Sequence, residues 1–303
     1  MSVENEASRQ IRRLTKKLGD LPTAAVTWFF SDTASLYDVL GTQPGTGNYL
    51  NLGWWEGSRS VGDPVDEETI HSACEELVRQ FARFGDLEPD DRILDVGFGF
   101  GQQDVLLAEE FGCRDITGIN ITPHHVRSGQ EIVRDHGLED QITLQEGDAV
   151  DLTFDADTFD KVFALETAFH FRTREDFFAE AHRVLRAGGT LLTADIIDGP
   201  QRENSSPIYS YLARAHEAYW NIPPENRIDR REYRQSLANH GFRNIEVRNV
   251  NDHVLHPWVR NYLPWRLNRQ PVPLRWIGDP LLKLLLTFYG EDFFEYIFAR
   301  AEC

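Results

Sequence analysis

The sequence predicts an α/β fold with a seven-stranded, mostly parallel sheet and helices on both of its faces. Strand and helix patterns alternate between residues 92 and 197, which is typical of a doubly wound parallel sheet. A glycine-rich turn joins the first strand of this region to its first helix. Two further strand patterns near the C-terminus favour an antiparallel pair that completes the sheet.

The alternating region supplies five predicted strands and three predicted helices. We expect the strands at 92–96, 115–121, 142–146, 159–166 and 190–197. We expect the helices at 102–111, 123–136 and 174–185. Thr122 followed by Pro123 is typical of a helix start, and Gly137 is typical of a helix end. The small residues at 187–189 favour a turn into the fifth strand.

The remaining pattern defines the domain organisation. Residues 1–91 are expected to form an N-terminal helical lid segment, and residues 92–303 the main domain. Aromatic-rich insertions at about 198–228 and 255–290 interrupt the main domain, and such insertions commonly cap a substrate site. The other expected elements are helices at 67–84 and 229–240 and strands at 244–250 and 293–300.

Composition narrows the classes of partner. The 303-residue chain has a formal net charge of −18, which argues against nucleic acid because a polyanion would be repelled. It lacks a run of about 18 apolar residues and its first residues are polar, so we expect no membrane insertion and a cytoplasmic location. The three cysteines fit no metal or disulfide spacing, which predicts free thiols. A homo-oligomer is compatible with this composition.

The glycine-rich turn carries the clearest functional signal. Asp95 stands two positions before the first of three alternating glycines, Gly97, Gly99 and Gly101. Glycine is needed where the backbone bends sharply or lies against a ligand, and the helix that follows presents free N–H groups. An oxidoreductase that binds a nicotinamide dinucleotide would share this turn but use G-x-G-x-x-G, whereas position 102 is glutamine.

The blocks around this turn resemble one known family. ILDVGFGFG resembles motif I of the class I S-adenosylmethionine (SAM) methyltransferases, and ALETAFHF with FFAEAHRVLRAGG resembles motifs IV to VI. The resemblance is close over residues 92–197 and implies a Rossmann-like sheet with SAM as cofactor. It is strongest to the small-molecule subgroup, which includes cyclopropane fatty acid synthases and sterol, isoprenoid and antibiotic-tailoring methyltransferases.

The resemblance also implies the cofactor contacts. The glycine loop would pass under the methionine part of SAM, and Asp95 would order the loop or the ligand's ammonium group. Asn120 stands where most members carry a ribose-binding acid, and Asp148 stands where the family binds adenine. The N-terminal segment matches more loosely and would bring aromatic residues to the methionine end. The full set implied is Tyr37, Trp54, Asp95, Gly97, Phe98, Gly99, Gly101, Gln102, Asn120, Ile121, Asp148, Ala149 and Leu165.

Two side chains compete for the role of catalytic base. His170 follows the fourth strand, and in antibiotic-tailoring relatives a histidine at this place is the base, supported by an acid that Asp195 matches here. That arrangement suits transfer to oxygen or nitrogen. Glu166 lies among apolar neighbours that would raise its basicity. A carboxylate of this kind suits proton removal after methylation of an alkene carbon, and the two alternatives stay open.

The cap at 255–290 bears on the acceptor. It contains aromatic residues and a charge of +4, from five cations against one acid. Arginines bind phosphate or carboxylate, so the cap suits a prenyl diphosphate or an acid with a hydrocarbon tail. Mg²⁺ is expected only with a diphosphate. Alternatively, these cations pair with the acidic surface. The five cations are Arg260, Arg266, Arg269, Arg275 and Lys283, and the acid is Asp279.

Together these observations predict a SAM-dependent methyltransferase that acts on a small, largely apolar acceptor. If the cap arginines bind the acceptor, it also carries an anionic group. Transfer to a carbon of an isoprenoid, such as a prenyl diphosphate, is one prediction, with Glu166 as base. O-methylation of a natural-product hydroxyl with His170 as base is the alternative. A SAM-binding protein without catalysis is the alternative outside the enzymes.

Overall fold

The computed structural model describes residues 46–56, 65–202, 222–268 and 292–303. A seven-stranded sheet runs through these residues in the order β3-β2-β1-β4-β5-β7-β6. The first five strands are parallel, and β7 is antiparallel to both β5 and β6. The strands are β1 Arg92–Val96, β2 Asp115–Asn120, β3 Ile142–Glu146, β4 Phe159–Leu165, β5 Leu185–Asp198, β6 Arg243–Asn249 and β7 Phe294–Glu302. The predicted fold class is confirmed.

Helices cover both faces of the sheet. They are α1 Glu67–Phe84, α2 Gln102–Phe111, α3 Pro123–Asp135, α4 Arg174–Val184, α5 Arg230–Asn239, α6 Leu255–Pro257 and α7 Leu263–Asn268, with a π-helical stretch at Trp258–Tyr262 between the last two. Short 3-10 segments lie at Ala168–His170 and Pro224–Asn226. Most predicted bounds agree with the structure to within one or two residues.

The core has two parts because the central strands are buried on both faces. The last four residues of β1 are buried, as expected for a parallel strand covered by helices on either side. Residues of α1, α2 and α3 fill one cluster, and residues of α4 and α5 fill the other. The ring of Phe81 in α1 lies 4.5 Å from that of Phe163 in β4. Helix α1 therefore packs directly on the centre of the sheet.

The predicted turn at 187–189 is wrong. Helix α4 ends because Leu185 is already extended (φ −73°, ψ 135°), and Leu185 pairs with Phe159 as the first residue of β5. Gly188, with φ +80°, lies inside the strand, where the pairing register shifts between Phe159 and Lys161. The glycines allow a β-bulge, a local bend that leaves the strand continuous.

Two expectations about the chain as a whole can be compared with this part of the structure. In the described ranges, no helix combines the length and apolarity that crossing a bilayer requires. Cys74, Cys113 and Cys303 are free thiols, as predicted. The division at residue 91 stays a prediction.

Candidate active site

A cavity of about 580 Å³ lies at the carboxyl ends of the central strands. The strand order reverses between β1 and β4, and ligands of open α/β sheets bind beyond the strand ends at such a switch point. The volume is within the range of small-molecule sites. The wall is built from 48–51, 96–100, 102–103, 119–122, 125, 147–151, 165–167 and 170–172.

The three glycines of the loop differ in what surrounds them. All have positive φ, +83° at Gly97, +60° at Gly99 and +82° at Gly101, a region that favours glycine. A Cβ on Gly97 would overlap the side chain of Thr167, and one on Gly101 would lie 3.1 Å from a methyl of Leu144. On Gly99 a Cβ would only reach ordinary contact, 3.4 Å from Leu50. Gly99 is thus a cavity-lining glycine whose neighbours would tolerate a Cβ.

A hydrogen bond links Asp95 to the helix that follows the glycine loop. Its side chain is fully buried and accepts a hydrogen bond from Nε2 of Gln103 at 2.5 Å, while Gln103 itself lines the cavity. Burial raises the pKa of Asp95 to about 6 despite hydrogen bonds to Asp104 and Gln103 that lower it. Burial and the neighbouring Asp95 raise the pKa of Asp104 well above its usual value. Burial therefore favours a bound proton on this pair of carboxyls, and Asp95 is linked to the start of helix α2 through Gln103.

The predicted ribose and adenine residues come together at the cavity. Asn120 is buried, and its Oδ1 accepts from the backbone N–H of Thr122 at 2.9 Å. Asp148 accepts from the N–H of Val150 at 3.1 Å and faces the open side. Ile121 is 64% exposed although it is a large apolar residue. An exposed apolar side chain beside polar groups is what a flat, partly apolar ligand would cover.

Trp54, which the sequence predicts to contact the cofactor, lies away from the cavity. Its ring stacks on His253 with centroids 4.1 Å apart and planes 5° apart, and it lies 5.9 Å from Phe298. It therefore lies in a second groove beside β7 and is absent from the cavity wall. Residues 48–51, a few positions earlier, line the cavity instead. The pattern NYLNLG, with two asparagines and a glycine before the tryptophans, was the available signal. Tyr37 lies outside the described residues.

Glu166 ties three parts of the chain together at the cavity. It follows β4 with φ +53°, and its backbone N–H donates to the carbonyl of Ala194 at 2.8 Å. Its Oε1 accepts from the N–H of Leu52 at 2.8 Å and from the hydroxyl of Tyr296 at 2.7 Å. Burial raises the pKa of Glu166 to about 7, although both hydrogen bonds lower it. The carboxyl is thus a proton acceptor near neutral pH whose one oxygen is already engaged.

His170 lines the same cavity as Gly99. It ends the 3-10 segment that follows β4, and its N–H donates to the carbonyl of Thr167 at 3.0 Å. Its ring lies 4.1 Å from that of Phe169. Nδ1 is buried, and the residue as a whole contributes to the cavity wall.

Asp195 has a different partner from the one expected. Its carboxylate is fully buried, and both oxygens accept from Arg174, at 2.7 Å from Nε and 3.0 Å from Nη2. Arg174 is 1% exposed. A buried carboxylate requires such a paired cation, because an unpaired charge is strongly destabilising in the interior. Direct support of His170 by Asp195, expected from the sequence, is therefore replaced by a salt bridge.

The described part of the cap packs as core. Tyr262 and Trp265 are buried, and their rings stack with centroids 5.8 Å apart. Arg260 is exposed and Arg266 partly exposed. The remaining cap charges, Arg269, Arg275, Asp279 and Lys283, lie outside the described residues. Within the described residues, no group of three His, Cys, Asp or Glu side chains is arranged to hold a metal ion.

Comparison with known proteins gives consistent matches. A family model for a methyltransferase domain matches residues 94–193. Erythromycin 3''-O-methyltransferase from Saccharopolyspora erythraea is 37% identical over 219 residues, 72% of this chain and 69% of that protein. O-methyltransferase resE from Aspergillus sclerotiorum is 30% identical over 235 residues, 77% of this chain and 81% of that protein.

Solved structures agree on the fold. Geranyl diphosphate C-methyltransferase from Streptomyces coelicolor A3(2), in complex with Mg²⁺, geranyl diphosphate and S-adenosyl-L-homocysteine, superposes with a TM-score of 0.67. The match covers 90% of this chain and 98% of that one at 18% identity. At this identity the likeness concerns the fold alone.

Proposed function

The chain belongs to the class I SAM-dependent methyltransferases of small molecules, and we propose that its acceptor is a hydroxyl group of a natural product, with His170 as general base. The observation that carries this proposal is that His170 and Gly99 line one cavity. The relatives from Saccharopolyspora erythraea and Aspergillus sclerotiorum carry names of O-methyltransferases, which supports oxygen as the atom methylated.

The residues around the cavity fit SAM. A Cβ on Gly99 would meet only Leu50, at ordinary contact distance, and Gly99 lines the cavity. Helix α2 begins directly after the loop with N–H groups that favour an electron-rich partner. Asn120 keeps its amide N–H groups for a ribose hydroxyl while Oδ1 holds the turn. Ile121 offers an exposed apolar surface to the adenine. Gly97, Phe98, Gln102, Ala149 and Leu165 would complete the binding set.

The proton of the acceptor is the part of the chemistry that the protein must handle. SAM held beside the glycine loop would supply the methyl group on a positively charged sulfur, which would leave with the electron pair of the broken carbon–sulfur bond as the acceptor oxygen bonds to the methyl carbon. The hydroxyl proton passes to the imidazole ring of His170, which becomes imidazolium. Phe169 and Phe171 flank the histidine and restrict the approach of water.

Glu166 supports the alternative, transfer to an alkene carbon. Its pKa of about 7 would allow it to take a proton from a carbon cation. Against this role, its Oε1 accepts hydrogen bonds from Leu52 and Tyr296, which suits a carboxyl that joins the N-terminal segment to the sheet. A prenyl diphosphate acceptor would also bring Mg²⁺, because the metal shares the phosphate charge.

The test is incubation with methyl-labelled SAM and a panel of acceptors, followed by mass spectrometry. The panel contains a macrolide with a free 3''-hydroxyl, phenols, fatty acids and prenyl diphosphates. We expect label on oxygen. His170→Ala should lower kcat about 100-fold or more, the usual contribution of a general base, and leave the Kd for SAM unchanged. Glu166→Gln should retain turnover.

The matched control is His136→Ala, since His136 is an exposed histidine paired with Glu109 at 2.8 Å, outside the cavity wall. It should leave kcat unchanged. Label on carbon, with activity lost in Glu166→Gln and kept in His170→Ala, would establish the alternative instead. SAM binding without label on any acceptor would favour a binding protein without catalysis.

A further inference from the structure

We propose that Asn226 is a positioning residue that holds His170 in place for methyl transfer, an inference that rests on the proposed role of His170. Asn226 ends the 3-10 segment Pro224–Asn226. It is 2% exposed and is absent from the cavity wall. It lies 56 residues after His170 in the sequence. Any effect it has on the reaction must therefore pass through another residue.

The amide group of Asn226 holds the backbone on both sides of His170. Its Nδ2 donates to the carbonyl of Phe169 at 3.2 Å and to the carbonyl of Phe171 at 2.7 Å. A primary amide has two N–H donors, so both are used on the two neighbours of the histidine. The carbonyl positions before and after His170 are thereby fixed relative to one side chain.

The turn that carries His170 depends on such an outside support. It is a single 3-10 turn, closed by bonds from His170 to Thr167 at 3.0 Å and from Phe171 to Ala168 at 3.3 Å. Bonds of this type have poor geometry and hold short segments weakly. A displacement of about 1 Å at a reacting group costs about 100-fold in rate. The amide of Asn226 supplies the restraint that the turn itself lacks.

Asn226 is in turn fixed by the buried ion pair. Its Oδ1 accepts from the N–H of Arg174 at 2.9 Å, and its backbone carbonyl accepts from Nη1 of Arg174. Arg174 also donates to the carbonyl of Ile196 at 2.8 Å and is paired with Asp195. Asp195 therefore reaches His170 indirectly, through Arg174 and Asn226.

The kinetic test uses Asn226→Asp, which keeps the size of the side chain and the acceptor for Arg174 but removes both N–H donors. With the acceptor that takes up label, or with a macrolide carrying a free 3''-hydroxyl, we expect kcat to fall about 10- to 100-fold. The KM for SAM should not change. In a His170→Ala background the same substitution should have no further effect on single-turnover product, because its effect passes through the histidine.

The matched control is Asn251→Asp, since Asn251 is a buried asparagine whose Nδ2 donates to the carbonyl of Phe294 at 3.0 Å, outside the cavity wall. It should lower Tm and leave kcat unchanged. A second variant, Asn226→Leu, removes the amide without adding charge. In it, the NMR titration of the His170 ring, assigned by its loss in His170→Ala, should shift from the wild-type midpoint.

The outcomes separate this inference from the proposed function. Full turnover by His170→Ala would remove both. Loss of activity in His170→Ala, with wild-type kcat in Asn226→Asp and an unchanged His170 titration in Asn226→Leu, would overturn the inference alone. An equal loss caused by Asn226→Asp with and without His170 would mark a structural role and overturn it as well.

Discussion

Gly99 differs from the other two glycines of its loop in that protein atoms do not explain it. Gly97 and Gly101 are required by close neighbours, Thr167 and Leu144, and would be glycine in a loop without a ligand. At Gly99 the nearest atom to an added Cβ is in ordinary contact at 3.4 Å. The requirement there comes from backbone conformation and from the open cavity, which points to Gly99 as the position where a side chain would compete with SAM.

Gly99→Val should therefore abolish measurable SAM binding in titration calorimetry. The control is Gly137→Val, because Gly137 has a similar φ of +67° and no atom within 4 Å of an added Cβ. Both variants place a branched residue in the left-handed region, which costs roughly 1–2 kcal/mol or more. Both variants should have a lower Tm than the wild type, but only Gly99→Val should fail to bind SAM. Near-native SAM affinity in Gly99→Val would remove the loop from the binding site.

Single residues also mark where prediction from the sequence stops. The location of Asn120 and Asp148 at the cavity was predictable, because one ends β2, the other follows β3, and these strand ends meet at one edge of the sheet. Trp54 was not, because its environment is set by β7 and by His253, almost 200 residues later. Asp195 matched a position, yet its partner Arg174 depends on how α4 begins. The position of a residue along a strand predicts where the residue lies, whereas its contact partners are known only from the packed structure.

The start of helix α2 combines the glycine loop with two buried acids. Asp104 lies in its first turn and is fully buried against Asp95. Two ionised carboxylates cannot share such a site, so one proton stays bound. The folded-state pKa of each is raised, so the proton is bound more tightly in the folded than in the unfolded chain. Its stabilising contribution is present at low pH and is lost as pH rises through about 6 and above.

Asp104→Asn should reduce this dependence, because it removes one of the two raised carboxyls and its amide can donate to Asp95 without a bound proton. We expect Tm to match the wild type at about pH 5 and to exceed it by roughly 3–6 °C at about pH 8. Glu109→Gln, an exposed acid on the same helix, is the control and should show little pH-dependent difference. A deficit in Asp104→Asn that grows with pH would mean that the pair is ionised and stabilised in another way.

Elements were predictable to the extent that their signals are local. Hydrophobic runs and terminators located α1, β1, α2 and β3 at their observed bounds. The start of β5 was not, because pairing with Phe159 extends the strand back through glycines that favour a turn when read alone. The 3-10 segment Pro224–Asn226 was also missed. Nothing local shows that its asparagine contacts the backbone beside His170.

For the whole molecule, alternation of strands and helices was enough to predict the sheet and the place of its cavity. The observed strand order places a switch point between β1 and β4, and ligands of open α/β sheets bind at such a point. The cavity wall additionally needs 48–51 from the N-terminal segment. Such contacts between distant segments are decided by packing, and the sequence carried only a loose family resemblance for them.

The net charge of −18 acts on the molecule as a whole. Even if all 31 basic residues were paired, 18 of the 49 acidic residues would remain without a cation. Like charges on one compact surface destabilise the folded state, whereas individual exposed ion pairs contribute only about 0–1 kcal/mol. Net repulsion should therefore outweigh the loss of ion pairs when salt is added.

Raising NaCl from about 0.01 M to about 0.15 M shortens the Debye length from about 30 Å to about 8 Å, so Tm should rise by several degrees, with most of the change in this range. Sodium thiocyanate at the same ionic strength is the control, because screening depends on ionic strength while specific-ion effects on apolar surface depend on the anion. Equal increases with both salts would identify screening. A Tm that falls with both salts would mean that ion pairs stabilise the protein by more than the excess negative charge destabilises it. An example of such a pair is Arg79 of α1 with Glu110 of α2, at 2.7 Å.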